Sequence, residues 1–266
     1  MSRRHAILFG STGGIGLKLL ELLLSNDFDI TLPVRDTNSA RKWFESISIK
    51  TKNAITLVHV QLEEEKSIKE FLVNFKEENL SCLIFASGVR GQTTTENINL
   101  DFEINYVAPV AISIEMLKKF PRLTVINVTS SAAFRLKLDS PKDLFVKSEL
   151  QFHGNYAKSK LALVLASKCL AKMYPESRVI SVDPGDNRTK MTLGRGSPWL
   201  LRFVAKFFFP NPSVGAHRVF KNVLDDNLIS GSHITAKDKV MDTKRYEHVT
   251  HYVFRQILSG FPYMPR

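Results

Sequence analysis

The stretch that decides the fold is Gly10-Ser11-Thr12-Gly13-Gly14-Ile15-Gly16, which follows the apolar run His5–Phe9 and opens the helical pattern Gly14–Leu24. Glycines allow a sharp turn and a close approach of the backbone to a bound group. The N-terminus of the following helix offers free N–H groups and a positive dipole end to an anion. This order of strand, turn and helix predicts a site for the pyrophosphate of a dinucleotide. A tight turn that serves packing alone is the alternative interpretation.

Apolar runs and helical patterns alternate outward from this turn. We predict strands at His5–Phe9, Asp29–Val34, Ala54–Val60, Cys82–Ala86, Leu123–Val128, Arg178–Val182 and Ser232–Ala236, and helices at Gly14–Leu24, Ser67–Phe75, Phe102–Phe120 and Asn155–Met173. This alternation predicts an α/β fold with a doubly wound parallel sheet, the Rossmann fold. No linker rich in glycine, serine or proline divides the chain, so we expect one domain over residues 1–266, with substrate-covering segments at about 132–154 and 191–225.

Composition indicates the class of protein. The 266 residues are 44% hydrophobic and 24% charged, which suits a globular domain with a large core. The two cysteines lie in apolar stretches and no signal peptide or long apolar run is present, so we expect a cytoplasmic protein with reduced thiols. No metal-ligand spacing is present, and we expect no metal. The net charge of +11 is spread without a run of five like charges, which favours a basic solvated surface over nucleic-acid binding.

The end of the second predicted strand distinguishes NADP from NAD. It reads Pro33-Val34-Arg35, where an NAD-binding protein would place an acidic residue on the ribose 2′-hydroxyl. The arginine can form a bidentate pair with a 2′-phosphate, and Ser11 and Thr12 can add hydroxyl donors. The sequence therefore predicts NADP(H) as the preferred cofactor. NAD(H) stays open as the alternative because Asp36 follows directly.

A tyrosine and a lysine stand four residues apart in the predicted helix Asn155–Met173. Tyr156 and Lys160 therefore share one helix face. A phenol, with an ordinary pKa of about 10, ionises more readily beside an ammonium. Such a pair can exchange a proton with a carbonyl or carbinol oxygen while a hydride moves. Ser130, or failing that Ser131, follows the fifth predicted strand, where a hydroxyl can orient the same oxygen.

Together these residues resemble the short-chain dehydrogenase/reductase family, and the resemblance also includes Ala86-Ser87-Gly88, Asn105, Pro184-Gly185 and Thr189. It implies a catalytic tetrad of Asn105, Ser130, Tyr156 and Lys160, with Asn105 in a helix kink where it holds a water. The dinucleotide contacts predicted from the residues and the resemblance are Gly10, Ser11, Thr12, Gly14, Ile15, Gly16, Arg35, Gln61, Leu62, Ala86, Ser87, Gly88, Tyr156, Lys160, Pro184, Gly185, Asn187 and Thr189.

Within that family the chain is most similar to the retinol-dehydrogenase-like group, on Asn155-Tyr156-Ala157-Lys158-Ser159-Lys160-Leu161-Ala162 and Pro212-Ser213-Val214-Gly215-Ala216. Several positions depart from the family pattern. Phe9 replaces a threonine, Phe85 and Ala86 replace two asparagines, and Ser87 replaces an alanine. Gln61 stands where an aspartate meets the adenine, and Asp186-Asn187 replaces two apolar residues. The tetrad is intact, but adenine binding and the turn after the fourth strand are put in question.

The segment Trp199–Phe209 bears on the substrate. Trp199, Phe203 and Phe207 recur at helical spacing, which is compatible with core packing, with a hydrophobic substrate pocket, or with a membrane surface contacted through Arg202 and Lys206. We predict an oxidoreductase that transfers hydride between NADP(H) and a hydrophobic carbonyl or alcohol. The resemblance implies a homo-oligomer, either a dimer or a tetramer. The alternative is a non-catalytic dinucleotide-binding regulator or sensor on the same fold.

Overall fold

A computed structural model of the chain contains one seven-stranded parallel sheet. The structure describes residues 3–46, 54–91, 99–146, 154–189, 193, 203, 206 and 209–260. The strands are β1 (Arg4–Phe9), β2 (Phe28–Val34), β3 (Ile55–His59), β4 (Leu80–Phe85), β5 (Thr124–Val128), β6 (Arg178–Val182) and β7 (His233–Ile234). Their order is β3-β2-β1-β4-β5-β6-β7, so the chain reverses its direction of winding between β1 and β4. A crevice opens at this position in doubly wound sheets, outside the carboxyl ends of the strands.

Helices cover both faces of the sheet. They are α1 (Gly14–Ser25), α2 (Thr37–Ser46), α3 (Glu65–Asn74), α4 (Leu100–Phe102), α5 (Ala108–Lys119), α6 (Gly154–Met173), α7 (Pro212–Leu224) and α8 (Glu247–Leu258). Helices α1, α2 and α7 bury apolar side chains in the core on one face, and α3, α5, α6 and α8 do so on the other. The doubly wound α/β fold predicted from the sequence is therefore confirmed.

Three helical regions differ from the sequence prediction. The predicted helix over residues 102–120 is interrupted by a π-helical turn, Glu103–Val107, between α4 and α5. Helix α2 is absent from the prediction, because only Ala40 and Phe44 of its ten residues are buried and the segment is polar overall. The sequence after Pro184 predicts only short helices, whereas α7 and α8 contain 13 and 12 residues.

The strand expected at residues 232–236 is present but contains only His233–Ile234, because the N–H of Thr235 donates to the carbonyl of Lys239 at 2.9 Å.

Cys82 and Cys169 are buried and not bonded to each other, and burial raises the pKa of each thiol to about 12. No helix within the part of the chain that the structure describes has both the length and the apolar character needed to cross a bilayer.

Candidate active site

A cavity of ≈ 670 Å³ lies at the carboxyl ends of the strands, beside the point where the winding direction reverses. The wall is formed by Phe9, residues 10–16, 33–36, Ser39, Ala40, Trp43, Val60, Leu62, Glu63, residues 86–90, Ile104, residues 128–130, Tyr156, Lys160, residues 183–187 and Thr189. The structure thus brings together all of the predicted site residues except Asn105 and Gln61.

The glycine-rich turn packs closely against itself and against the residues that follow β4, and only glycines leave room for these contacts. Gly10 has a φ of +81°, and a Cβ on it would lie 2.4 Å from the backbone nitrogen of Ser87. A Cβ on Gly16 would lie 2.0 Å from the carbonyl oxygen of Gly10. Helix α1 then begins at Gly14 without a side-chain cap. Its first N–H groups are left for an anion, as a pyrophosphate site requires.

Four buried side-chain oxygens on the cavity wall have no hydrogen-bond partner among the residues that the structure describes. They are Ser11 Oγ, Glu63 Oε2, Ser87 Oγ and Thr129 Oγ1. Buried polar atoms are normally satisfied, and an unsatisfied one costs about 1–3 kcal/mol. A dinucleotide carries hydroxyl, amino and phosphate groups along its whole length, which is the chemistry that pairs with such oxygens.

The end of β2 presents a cation and a carboxylate with different surroundings. Arg35 is exposed at the cavity wall. The Asp36 carboxylate accepts hydrogen bonds from Ser39 Oγ at 2.5 Å, from Ser39 N at 3.0 Å and from Asn38 N at 2.9 Å. These bonds, with that from the Ser39 hydroxyl the strongest, hold the pKa of Asp36 below its ordinary value. Asp36 therefore stabilises the start of α2, and Arg35 is the side chain left for a ligand.

The loop after β3 separates two predicted contacts. Leu62 lines the cavity, and so does Glu63, which the sequence analysis did not identify. Gln61 lies outside the wall, and its N–H donates to Ser67 Oγ at 2.9 Å. The predicted contact of Gln61 with the adenine is thus not supported by its position.

Tyr156 and Lys160 lie on the cavity wall in the first turns of α6, and both are almost fully buried, at 5% and 4% exposure. Lys160 Nζ donates to the carbonyl oxygen of Val128 at 2.9 Å. Burial lowers the pKa of Lys160 to about 8, and the positive charge of Arg90 adds to this effect. Ser130 lines the same wall, whereas Ser131 is exposed and outside it. The structure therefore groups one phenol, one ammonium and one serine hydroxyl.

Asn105 lies in the π-helical turn, where the resemblance places a kink, but its side chain does not reach the cavity wall. Its Oδ1 accepts from Val89 N at 2.9 Å, and its Nδ2 donates to Val89 O at 2.9 Å and to Ser159 Oγ at 3.1 Å. The amide thus ties the loop after β4 to α6. The Asn105 side chain therefore positions these two elements and does not contact the cavity. The water that the resemblance assigns to Asn105 stays a prediction.

Arg90 is a site residue that the sequence analysis missed. Its guanidinium carbon lies 4.4 Å from the centre of the Tyr156 ring, and its side chain lines the cavity. The predicted contacts of this loop ended at Gly88, two residues earlier. No motif marks Arg90 in the sequence, because its closeness to Tyr156 arises from contact between elements that are 66 positions apart.

The opposite wall is held together by Asn187, which is buried at 3% exposure. Its Nδ2 donates to the carbonyls of Pro184 at 3.1 Å and Gly185 at 2.7 Å, and its Oδ1 accepts from Gly215 N at 3.2 Å. The side chain thus joins the loop after β6 to the first turn of α7. This contact explains why an amide occupies a position where the resemblance expects an apolar residue.

Gly215→Ala should lower the free energy of unfolding by about 1–3 kcal/mol. A Cβ at this position would lie 2.6 Å from Asn187 Nδ2, so the buried amide would have to move and give up its bonds. Urea unfolding of the purified protein measures the change. Val214→Ala, at a 45% exposed position in the same turn, is the control and should stay within about 0.5 kcal/mol of wild type. Equal stability of all three proteins would show that the amide does not hold this loop.

The segment at residues 199–209, predicted to form core, pocket or membrane contact, lies outside the described residues except for Phe203, Lys206 and residue 209. Phe203 and Lys206 are exposed. Residues 212–224 of the segment expected to cover the substrate form α7, which buries Ala216 and Val219 in the core.

Comparison with known proteins agrees with this architecture. A family model described as short chain dehydrogenase matches residues 4–197. Salutaridine reductase from Papaver somniferum is 18% identical, with a TM-score of 0.66 over 87% of this chain and 99% of that chain. NADPH-bound carbonyl reductase from chicken fatty liver is 22% identical, with a TM-score of 0.64 over 91% and 99%. 4-Hydroxyisoleucine dehydrogenase in complex with NADH is 21% identical, with a TM-score of 0.68 over 87% and 96%.

Proposed function

This chain belongs to the short-chain dehydrogenase family, and we propose that it is an NADP(H)-dependent oxidoreductase that interconverts a carbonyl and an alcohol. One observation carries the proposal. Tyr156, Lys160 and Ser130 share a single cavity with four buried oxygens that have no partner among the described residues. Two proteins of similar fold, the carbonyl reductase and the 4-hydroxyisoleucine dehydrogenase, bind NADPH and NADH, which supports a nicotinamide dinucleotide here. The retinol-dehydrogenase-like subgroup, the homo-oligomer and the cytoplasmic location stay predictions.

In this proposal the two walls of the cavity hold the pyrophosphate and the nicotinamide end of the dinucleotide. The glycine-rich turn of residues 10–16 binds the pyrophosphate through its N–H groups, and the oxygens of Ser11 and Ser87 accept or donate along its length. Residues 184–189 hold the nicotinamide end. When bound, the nicotinamide supplies or accepts the hydride.

The protein's own groups handle the proton. Tyr156 gives its hydroxyl proton to the carbonyl oxygen as that oxygen gains negative charge, and takes a proton back in the reverse direction. The Lys160 ammonium stabilises the phenolate that remains. The Ser130 hydroxyl donates a hydrogen bond to the same substrate oxygen, so the carbonyl is held by two hydroxyl groups. No observation on the described residues favours the alternative of a non-catalytic sensor.

The preference for NADP(H) rests on Arg35. Arg35→Ala should raise the dissociation constant for NADPH by about 10- to 100-fold, the effect of losing a hydrogen bond to a charged group. The dissociation constant for NADH should change less than about threefold, because NADH lacks the 2′-phosphate. Fluorescence titration with each dinucleotide measures both values.

Arg41→Ala is the matched control, since Arg41 is exposed on α2 and does not line the cavity. It should leave both dissociation constants within about twofold of wild type. Equal losses for NADPH and NADH in the Arg35 variant would overturn the cofactor preference. If wild-type protein bound neither dinucleotide at millimolar concentration, the proposed function itself would be wrong.

A further inference from the structure

Asp183 is a buried carboxylate on the cavity wall that the proposed reaction does not use. It follows β6 directly and is only 4% exposed. Its Oδ1 accepts a hydrogen bond from the N–H of Gly185 at 2.9 Å, and the N–H of Ser131 donates to the same carboxylate. Burial raises the pKa of Asp183, whereas these two N–H groups and the charge of Arg218 favour the ionised form. The cavity wall therefore carries a negative charge that is shielded from water.

The sheet places this charge beside the substrate-binding serine. Strands β5 and β6 are parallel neighbours, and the N–H of Thr129 donates to the carbonyl of Val182 at 2.8 Å, where the two strands end. Neighbouring strands lie about 4.8 Å apart. Ser130 and Asp183 are the residues that follow this bond on the two strands, and the carboxylate also holds the N–H of Ser131. The Asp183 carboxylate and Ser130 thus belong to one small part of the cavity wall.

The proposed reaction brings a second charge to this part of the cavity. Ser130 and Tyr156 hold the carbonyl oxygen, and hydride transfer requires the reacting atoms to approach to about 3–3.5 Å. The nicotinamide end of the cofactor must therefore bind close to Ser130. An oxidised nicotinamide ring carries one positive charge, whereas the reduced ring is neutral. The Lys160 ammonium lines the same cavity and repels the oxidised ring, so this ring needs a compensating negative charge.

Resting on the proposed function, we propose that the Asp183 carboxylate stabilises the positive charge of the oxidised nicotinamide and thereby strengthens the binding of NADP⁺ relative to NADPH. Two unit charges about 10 Å apart change a dissociation constant by about 10-fold where the effective dielectric constant is about 20. The same charge develops on the ring while the hydride leaves. Asp183 therefore also favours the transfer of hydride to the carbonyl.

Asp183→Asn tests this inference because it removes the charge and keeps the shape of the side chain. Fluorescence titration at pH 8 measures the dissociation constant of NADPH, and displacement of NADPH measures that of NADP⁺. The ratio of the NADP⁺ constant to the NADPH constant should rise about 10-fold in the variant. The ratio isolates the effect on the ring, because the phosphates are common to both dinucleotides. Asp183→Ser, which keeps a hydrogen-bond acceptor but no charge, should give a similar rise.

Asp186→Asn is the matched control. Asp186 lies three residues further along the same wall, but it is exposed, so that water and salt screen its charge. Its substitution should change the ratio of the two dissociation constants less than about threefold. Neither titration depends on turnover, so the test does not require a known substrate.

Two results would overturn the inference. A ratio that stays at the wild-type value in both Asp183 variants would mean that the carboxylate has no effect on the ring, even if both dinucleotides bind more weakly, and Asp183 would then only position the loop after β6. An equal rise in Asp186→Asn would assign the effect to the general charge of the protein. Both results leave the proposed function standing, because both dinucleotides bind. Failure of wild type to bind either dinucleotide would instead remove the proposed function and this inference with it.

Discussion

Tyr156→Phe should lower kcat by about 10²- to 10⁴-fold, the usual contribution of general acid–base catalysis. The substitution removes one hydroxyl and keeps the ring, so the stacking with Arg90 and the packing of the 5% exposed side chain are retained. The dissociation constant for NADPH should therefore stay within about threefold of wild type. Steady-state turnover of any carbonyl substrate found in a screen, together with NADPH titration, measures the two effects separately.

Tyr174→Phe is a suitable control for Tyr156→Phe. Tyr174 lies just past the end of α6, is partly buried and does not line the cavity. Removing its hydroxyl should leave kcat within about twofold of wild type. If Tyr156→Phe turned over substrate at the wild-type rate, the proton would have to come from another group, and Tyr156 would not be the acid.

The strands were predictable because both faces of the sheet are covered. A strand buried on both sides has a nearly continuous apolar sequence, and β1 and β6 were located to within one residue on this basis. Helix α2 could not be located in the same way. Its buried side chains are too few to dominate the pattern, and its start depends on the hydrogen bonds of Asp36, which become visible only in three dimensions.

The residues of the candidate site also fall into two groups, those that a short sequence pattern predicts and those that it does not. Tyr156, Lys160 and the glycine-rich turn were predictable because their chemistry depends on short, local spacing. Arg90 was missed because its closeness to Tyr156 arises from contact between distant elements. Glu63 was missed although it directly follows the predicted contact Leu62. Gln61 is assigned to the adenine from the family pattern, but it does not line the cavity. The next two residues in the chain, Leu62 and Glu63, do line it. Local motifs thus located the reacting groups, and folding decides which side chains surround them.

Lys160→Met should abolish most activity and at the same time make the protein more stable at neutral pH. Burial lowers the pKa of Lys160 from 10.5 to about 8. This difference corresponds to about 3 kcal/mol of stability that the wild type loses by burying a charged ammonium. The variant also leaves the Val128 carbonyl without its donor, which costs about 1 kcal/mol. Urea unfolding at pH 7 should therefore show a net gain of about 2 kcal/mol.

The difference in stability between Lys160→Met and wild type should depend on pH. Below pH 8 the lysine is protonated in both the folded and the unfolded protein, so the full cost of burial is present. As the pH rises from 8 to 10.5, the folded protein loses the proton first, and the cost disappears. The stability advantage of Lys160→Met over wild type should thus shrink across this interval. In wild type, kcat/KM for carbonyl reduction should fall above pH 8, because the ammonium that stabilises the phenolate is lost.

Lys158→Met separates these effects from a general effect of removing a lysine from α6. Lys158 Nζ donates to the Val146 carbonyl at 2.9 Å and does not line the cavity, so its loss should leave turnover within about twofold. Its stability should stay within about 0.5 kcal/mol of wild type. The contrary result is a Lys160→Met protein that is less stable than wild type at pH 7 by an amount that does not change up to pH 10.5. This result would mean that contacts in the folded protein offset the whole cost of burying the Lys160 ammonium. Wild-type turnover in the same variant would remove Lys160 from the reaction. Since a stabilising substitution cannot lose activity by unfolding, a gain in stability combined with a loss of turnover assigns that loss to the chemistry of the site.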